Sequence, residues 1–300
     1  MEIIFLGTSS AVHSKERNHP SIAIKAFGEI FLFDCGEATQ RQLLHTNVSP
    51  MKISKIFLTH YHGDHILGLP GLLQSMSLNG RESKLTIYGP KGLNKVKDAI
   101  YSLGYCAIEY PVEFIEIESG IIEDNDEYCI QSQRVKHNVP CLAYSIEEKK
   151  KPRFLRDKAI ELGVPVGPAF GKLHNGEEVE IDGKIIKPEQ VLGEPRKGVK
   201  ITYSGDTRPC EEMIMLAHDS TILIHESTFI HDDRSSAEEY AHSTSIDAAY
   251  TALDSGSKEL ILTHISTRYG EDYAEIMLRE AREIFENTKL AYDFMEIEKH

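Results

Sequence analysis

Four times in this 300-residue chain, a run with the signature of a buried strand ends in a side chain able to ligate a metal. The densest case is Ile53-Ser54-Lys55-Ile56-Phe57-Leu58, which runs into Thr59-His60-Tyr61-His62-Gly63-Asp64-His65. Neutral imidazole and carboxylate are the ligand set of zinc-like ions, and a strand end is where a functional loop begins. Donors this close in sequence diverge too much for one tetrahedral ion. They suit two adjacent ions, His60 and His62 on one, Asp64 and His65 on the other. The other three cases are Tyr203-Ser204-Gly205-Asp206-Thr207, Leu262-Thr263-His264 and Val135-Lys136-His137-Asn138. Each is weak alone, because a histidine at a strand end is more often a hydrogen-bonded structural residue and Gly-Asp-Thr is a common turn. Taken together they divide into His60, His62 and His137 on one ion and Asp64, His65 and His264 on the other, with Asp206 bridging. A bound ion lowers the pKa of water from about 15.7 to about 7, which makes hydrolysis the natural reaction. Iron carrying oxygen or electrons uses the same ligands, but no separate flavin domain is visible.

The remaining pattern is of mixed strands and helices, which points to an α/β layered fold. Strands are expected at 3–6, 21–24, 30–33, 53–58, 85–88, 112–117, 128–135, 141–146, 200–204, 221–224 and 260–263 from their β-branched and aromatic runs. A helix is expected to start near Ile66, with others over 245–254 and 271–286. Residues 147–198 break this rhythm, with five of the twelve prolines and seven of the twenty-one glycines, including Gly163-Val164-Pro165-Val166-Gly167-Pro168. They read as a protruding arm, because the strands after them supply ligand candidates for the cluster before them.

A net charge of −14 argues at first against a nucleic-acid partner, since phosphate binding normally leaves a basic footprint. The charge is uneven, however. Lys149, Lys150, Lys151, Arg153, Arg156 and Lys158 face only Asp157 within ten residues, a local +5 that leaves −19 elsewhere. A solvated helix face is the plain alternative. The apolar runs are strand-sized and Lys15, Glu16, Arg17 and Asn18 interrupt the first twenty residues, so neither a signal peptide nor a membrane span is expected. Cys35, Cys106, Cys129, Cys141 and Cys210 are scattered and odd in number, as expected of reduced thiols in the cytoplasm.

The set Thr-His-Tyr-His-Gly-Asp-His, His137, Asp206 and His264 resembles the metallo-β-lactamase superfamily from end to end. Further segments resemble its tRNA 3′-processing branch, the RNase Z family. Asp34-Cys35-Gly36-Glu37-Ala38-Thr39-Gln40-Arg41-Gln42-Leu43 is similar to the family signature after the third strand. Ser14-Lys15-Glu16-Arg17-Asn18 is similar to its Pro-x-Lys-x-Arg-Asn loop, with His13 in place of proline, and Gly167-Pro168-Ala169-Phe170-Gly171-Lys172-Leu173 to its flexible arm. Ser204-Gly205-Asp206-Thr207-Arg208-Pro209 and His225-Glu226-Ser227-Thr228 also match, with Ser227 where alanine is usual.

The resemblance implies a single αβ/βα four-layer sandwich over 1–300, with two mixed sheets, helices on the outer faces, and an arm inserted at about 147–176. It implies two Zn2+ per subunit, with Mn2+ as the substitute, and a cytoplasmic homodimer acting on precursor tRNA with no membrane partner. Asp64 would be both a ligand and a proton acceptor, His242 in Ala241-His242-Ser243-Thr244 would assist departure of the 3′ oxygen, and Glu226 would orient its neighbours. Lys15, Arg17, Asn18, Lys149, Lys150, Lys151, Arg153, Gly167, Pro168 and Lys172 would contact the RNA. The alternatives are a general hydrolase of small phosphodiesters or esters, and a non-catalytic RNA-binding protein.

Overall fold

The computed structural model describes residues 1–105 and 107–299. Sixteen strands follow in chain order: β1 Glu2–Gly7, β2 Ser21–Ala26, β3 Glu29–Phe33, β4 Ile53–Phe57, β5 Leu85–Gly89, β6 Val112–Glu116, β7 Gly120–Asp124, β8 Tyr128–Val135, β9 Cys141–Lys150, β10 Val179–Ile181, β11 Lys184–Ile186, β12 Arg196–Tyr203, β13 Ile222–Glu226, β14 Leu260–Thr263, β15 Thr288–Leu290 and β16 Glu296–Glu298. Two seven-stranded sheets run in the orders β16-β1-β2-β3-β4-β5-β6 and β15-β14-β13-β12-β9-β8-β7. Both are mixed: β3 to β6 are parallel while β1, β2 and β3 are antiparallel, and β12 to β15 are parallel while β7 and β8 are antiparallel.

Strands β1, β3 and β13 are apolar almost without interruption because both of their faces are covered. Side chains alternate along each strand, so one strand feeds two cores. In β3, Phe31 and Phe33 point between the sheets, where Phe33 stacks on Phe57 at 5.1 Å and meets Tyr144 and Tyr203 of the second sheet at 6.0 and 6.3 Å. Ile30 and Leu32 face the other way, into a cluster with Leu69, Leu72, Leu73 and Met76 of the helix Leu69–Leu78. The second sheet repeats this arrangement, with Leu223, Leu260 and Leu262 against Met213, Ala248, Ala249, Ala252 and Ala281 of its outer helices. The result is the four-layer αβ/βα sandwich expected from the sequence.

The expected strands are present, although 221–224 is shifted to Ile222–Glu226 and 141–146 continues to Lys150, which takes in the first two lysines of the basic run. The helix expected to start near Ile66 is broken into Gly63–Ile66 and Leu69–Leu78. The break has a local cause. Gly68 lies so close to the loop after β3 that an added Cβ would sit 1.9 Å from the Gly36 carbonyl oxygen, and the Gly68 N–H donates to the Cys35 carbonyl. Strands β7, β10, β11, β15 and β16, three to five residues long, carry too little alternation to be read from sequence.

The chain divides into two compact units. The larger holds residues 1–124, 129–147 and 199 onward, and the smaller holds 125–128 and 148–198. The segment expected as an arm at about 147–176 falls, from residue 148 on, in the smaller unit, which continues to Gly198 and has its own core. Ala159, Val164, Leu173, Val179, Ile186 and Val191 are buried there, and Phe154 and Phe170 pack at 4.9 Å. Helices Arg156–Glu161 and Pro168–His174 and the hairpin β10–β11 enclose that core. Among the described residues no helix is long and apolar enough to cross a membrane. Cys35, Cys129, Cys141 and Cys210 are free thiols, and Cys106 lies outside the described residues.

Candidate metal centre and catalytic cavity

The ends of β4, β8, β12 and β14 deliver Thr59–His65, His137, Asp206 and His264 to one place in the larger unit. His60, His62, His137 and Asp206 form one group, and Asp64, His65 and His264 a second, with the donor atoms of each within 4.8 Å of one another. The turn carrying Asp206 requires glycine. Gly205 has φ +57, and a Cβ there would lie 2.8 Å from Thr59 Cγ2. His264 itself is held at φ +60, a conformation that a residue with a side chain rarely adopts and that clusters at functional sites.

The hydrogen bonds decide which nitrogen of each ring faces inward. Thr59 Oγ1 and N–H both donate to the Asp34 carboxylate, so Thr59 Oγ1 is left to accept from His60 Nδ1 at 3.0 Å. His65 Nδ1 donates to Asp34 Oδ2 at 2.8 Å, and His137 Nδ1 to the Ala241 carbonyl at 2.9 Å. Thr228 Oγ1 gives its proton to Glu226 and therefore accepts from His264 Nδ1 at 2.9 Å. All four imidazoles are thus held in the tautomer whose bare Nε2 lone pair points into the site, the orientation that outer partners impose on metal-ligating histidines.

The spacing agrees with that assignment. A tetrahedral ion with bonds of 2.0–2.1 Å has its donors about 3.3–3.4 Å apart. His60 Nε2 lies 2.9 Å from His62 Nδ1, which lies 3.3 Å from His137 Nε2. Asp206 turns one oxygen to each group: Oδ2 is 3.6 Å from His60 Nε2 and 4.0 Å from His137 Nε2, and Oδ1 is 3.5 Å from His65 Nε2 and 3.3 Å from His264 Nε2. Asp64 Oδ2 is 3.4 and 3.5 Å from His65 and His264. The buried Asp206 Oδ1 has no hydrogen-bond donor. Converging lone pairs and carboxylates repel each other unless a cation lies between them, so the residues fit a metal.

Charge tells the same story. Burial keeps His60, His62 and His137 below the usual imidazole range, hence neutral and able to ligate. Burial would raise Asp64 and Asp206, but the neighbouring histidines outweigh it and hold both carboxyls well below their usual range. Burial would likewise lower His65, yet Asp206 and Asp34 push it well above its usual range, so without an ion its inward Nε2 holds a proton, and a divalent cation would displace that proton to free the lone pair.

Beside this centre, Glu226 is fully enclosed and accepts from Thr207 N–H, Thr228 N–H, Thr228 Oγ1 and His242 Nδ1, the last at 2.8 Å. Burial opposes the charged form of His242, but Glu226 prevails and raises its pKa to about 9. With Nδ1 held by Glu226, Nε2 is left for a cavity of about 390 Å³ that His242 lines together with His62, Asp64, His137, Asp206 and His264.

The substrate-contact candidates fare differently. Lys15 is exposed, whereas Arg17 Nη1 donates to Thr8 Oγ1 and the Ala291 carbonyl, both at 2.7 Å, and Asn18 Nδ2 donates to the Glu37 carbonyl. Arg17 and Asn18 therefore pin their loop to the body. Arg17 also lines a second cavity of about 550 Å³, which shares Ser266 and Thr267 with the first. In the smaller unit Lys149, Arg153, Gly167, Pro168 and Lys172 are exposed, Lys150 pairs with Glu148 at 3.4 Å, and Lys151 donates to Asn175. Asp34, Thr59, Thr228 and Tyr203, whose hydroxyl donates to Asp34 at 2.9 Å, belong to the centre, although the sequence motifs that contain them assign them no role. Asp34 carried a usable signal, being one more acid at a strand end.

Sandwich and strand-end centre together define the metallo-β-lactamase fold. The metallo-β-lactamase fold protein YhfI from Bacillus subtilis superposes with a TM-score of 0.72 at 19% identity, over 99% of this chain and 98% of that one. Human tRNase Z, short form, superposes with a TM-score of 0.71 at 27% identity over 99% of both chains. Ribonuclease Z of Methanothermobacter thermautotrophicus is 53% identical over 298 residues, 99% of this chain and 96% of that protein. The chain belongs to the ribonuclease Z family. The family model for anti-Pycsar protein Apyc1 matches residues 1–98.

Proposed function

We propose that this protein is a zinc-dependent endoribonuclease that removes the 3′ trailer from precursor tRNA, leaving a 3′ hydroxyl on the tRNA and a 5′ phosphate on the trailer. Hydrolysis is supported above all by the four inward-facing Nε2 atoms converging with Asp64 and Asp206. The RNA substrate is supported by family membership over the whole chain. In this reading His60, His62 and His137 would hold one Zn2+ and Asp64, His65 and His264 the other, with an Asp206 oxygen available to each group; Mn2+ would suit the same donors. When bound, the ions would supply acidified water and charge stabilisation at the phosphate.

The chain's own groups do the rest. Asp64, held as a carboxylate, accepts a proton from the attacking water. As the phosphorus–O3′ bond breaks, the His242 imidazolium donates the Nε2 proton to the departing 3′ oxygen, and Glu226 holds that ring and stabilises its charge. Asp34 fixes His65. The exposed cations Lys149, Arg153 and Lys172 of the smaller unit, with Lys150, Lys151 and exposed Lys15, contact the RNA backbone and release its counterions. The working form is a homodimer in the cytoplasm.

The deciding experiment incubates the purified protein with a trailer-bearing precursor, with and without a chelator, and maps both new ends. A metal-dependent single cut giving a 3′ hydroxyl is expected. Cleavage that persists after exhaustive chelation, or binding without cleavage in excess zinc, overturns the proposal.

A further inference from the structure

We infer that Tyr240 is a stacking platform for the nucleobase immediately 5′ of the cut, the last base kept on the tRNA. The inference rests on the function proposed above. Tyr240 ends the helix Arg234–Tyr240 and lines the 390 Å³ cavity two residues before His242, and the residue is 50% exposed. Its ring lies nearly parallel to that of Phe229, at 14° and 6.4 Å, and Phe229 is itself buried beneath the Arg268 guanidinium at 4.9 Å. Aromatic surface therefore lines one wall of the catalytic cavity.

The mount is rigid although the ring is open. The Tyr240 carbonyl accepts from Asn138 Nδ2 at 3.0 Å and the next carbonyl, that of Ala241, from His137 Nδ1 at 2.9 Å. Ala241 stands at φ +60, and Ser243 Oγ ties the following turn to the Thr207 carbonyl at 2.6 Å. An aromatic ring on a fixed backbone offers flat contact area at low entropic cost, and stacking accepts any base because every base has a π-face. The choice of nucleotide follows from His242. The ribose whose 3′ oxygen takes its proton lies at that imidazole, and the base on the same ribose is the one within reach of Tyr240.

The test pairs two changes, Tyr240→Leu in the full chain and an abasic site at the last retained nucleotide of the precursor. Each alone is expected to lower kcat/KM roughly ten- to a hundredfold, and the two together no more than either one. Tyr240→Phe should keep wild-type activity, and thermal melting and zinc content should be unchanged in all variants. If Tyr240→Leu does not fold, Tyr240→Gln takes its place. The inference is overturned if the abasic penalty is the same in wild type and variant, or if Tyr240 couples instead to the first trailer base. A wild type that leaves the intact precursor uncut defeats the function itself, a result distinct from an enzyme that cuts without this coupling.

Discussion

The metal centre and the smaller unit are built on opposite principles. In the centre each imidazole is buried or half-buried, and four of the five have a ring nitrogen committed to an acceptor, so geometry is set before any ion arrives. In the smaller unit a modest core of aliphatic and aromatic side chains carries exposed lysines and arginines. Preorganisation is what chemistry at a phosphorus atom needs, because a displacement of about 1 Å can cost about a hundredfold in rate. Backbone recognition needs charge density more than exact placement, since its free energy comes from counterion release. Damage to the two regions should therefore appear in different measurements.

The largest effect is expected from Asp64→Ala with His65→Ala, which removes two donors of one group. Trailer cleavage should fall about a thousandfold or more, and zinc per chain by inductively coupled plasma analysis should drop by about one ion. Retained cleavage would transfer the chemistry elsewhere. Next, His242→Ala should lower kcat about 10²- to 10⁴-fold with KM and zinc content unchanged. The sign of the associated pH effect follows from the raised pKa of about 9. His242 carries its proton below that pH and loses it above, so kcat should fall as pH rises through about 9, and the His242→Ala profile should lack that limb.

A smaller change is expected from Asp34→Asn, which keeps the volume but weakens acceptance from His65 Nδ1. Zinc affinity by competition with a chromophoric chelator should drop about 10- to 100-fold, and unchanged affinity would deny Asp34 its orienting role. Neutralising Lys149, Lys151, Arg153 and Lys172 should raise KM for precursor tRNA and leave kcat alone. The log–log salt slope should flatten by roughly 0.7–0.9 for each phosphate that the variant no longer neutralises, and cleavage of a small phosphodiester should not change. A kcat loss in that variant would erase the division between the two regions. Last, Leu173→Ala should destabilise the smaller unit by about 2–5 kcal/mol, seen as faster proteolysis within 148–198 with small-phosphodiester cleavage intact.

Much of the fold was legible because its central strands are buried on both faces, which leaves uninterrupted apolar runs such as 3–6, 30–33 and 260–263. Short edge strands such as β15 and β16 have no such run and depend on neighbours for their pairing. Of the centre, the residues at strand ends were legible, whereas Tyr203, Thr59 and Thr228 were not. Each acts by a hydrogen bond to a residue distant in sequence or to a side chain whose orientation is set elsewhere, as when Tyr203 reaches Asp34 across 169 positions.

By itself the sequence determined the donor types, the strands that carry them and the concentration of positive charge at 149–158, because composition and periodicity are local properties. Only the tertiary structure decided which nitrogen of four of the five imidazoles faces into the site, that Asp206 presents one oxygen to each group, and that the proline- and glycine-rich segment folds around a core of its own. Those outcomes depend on partners tens to hundreds of residues away, and a hydrogen bond or a buried contact exists only once folding has brought both of its members together.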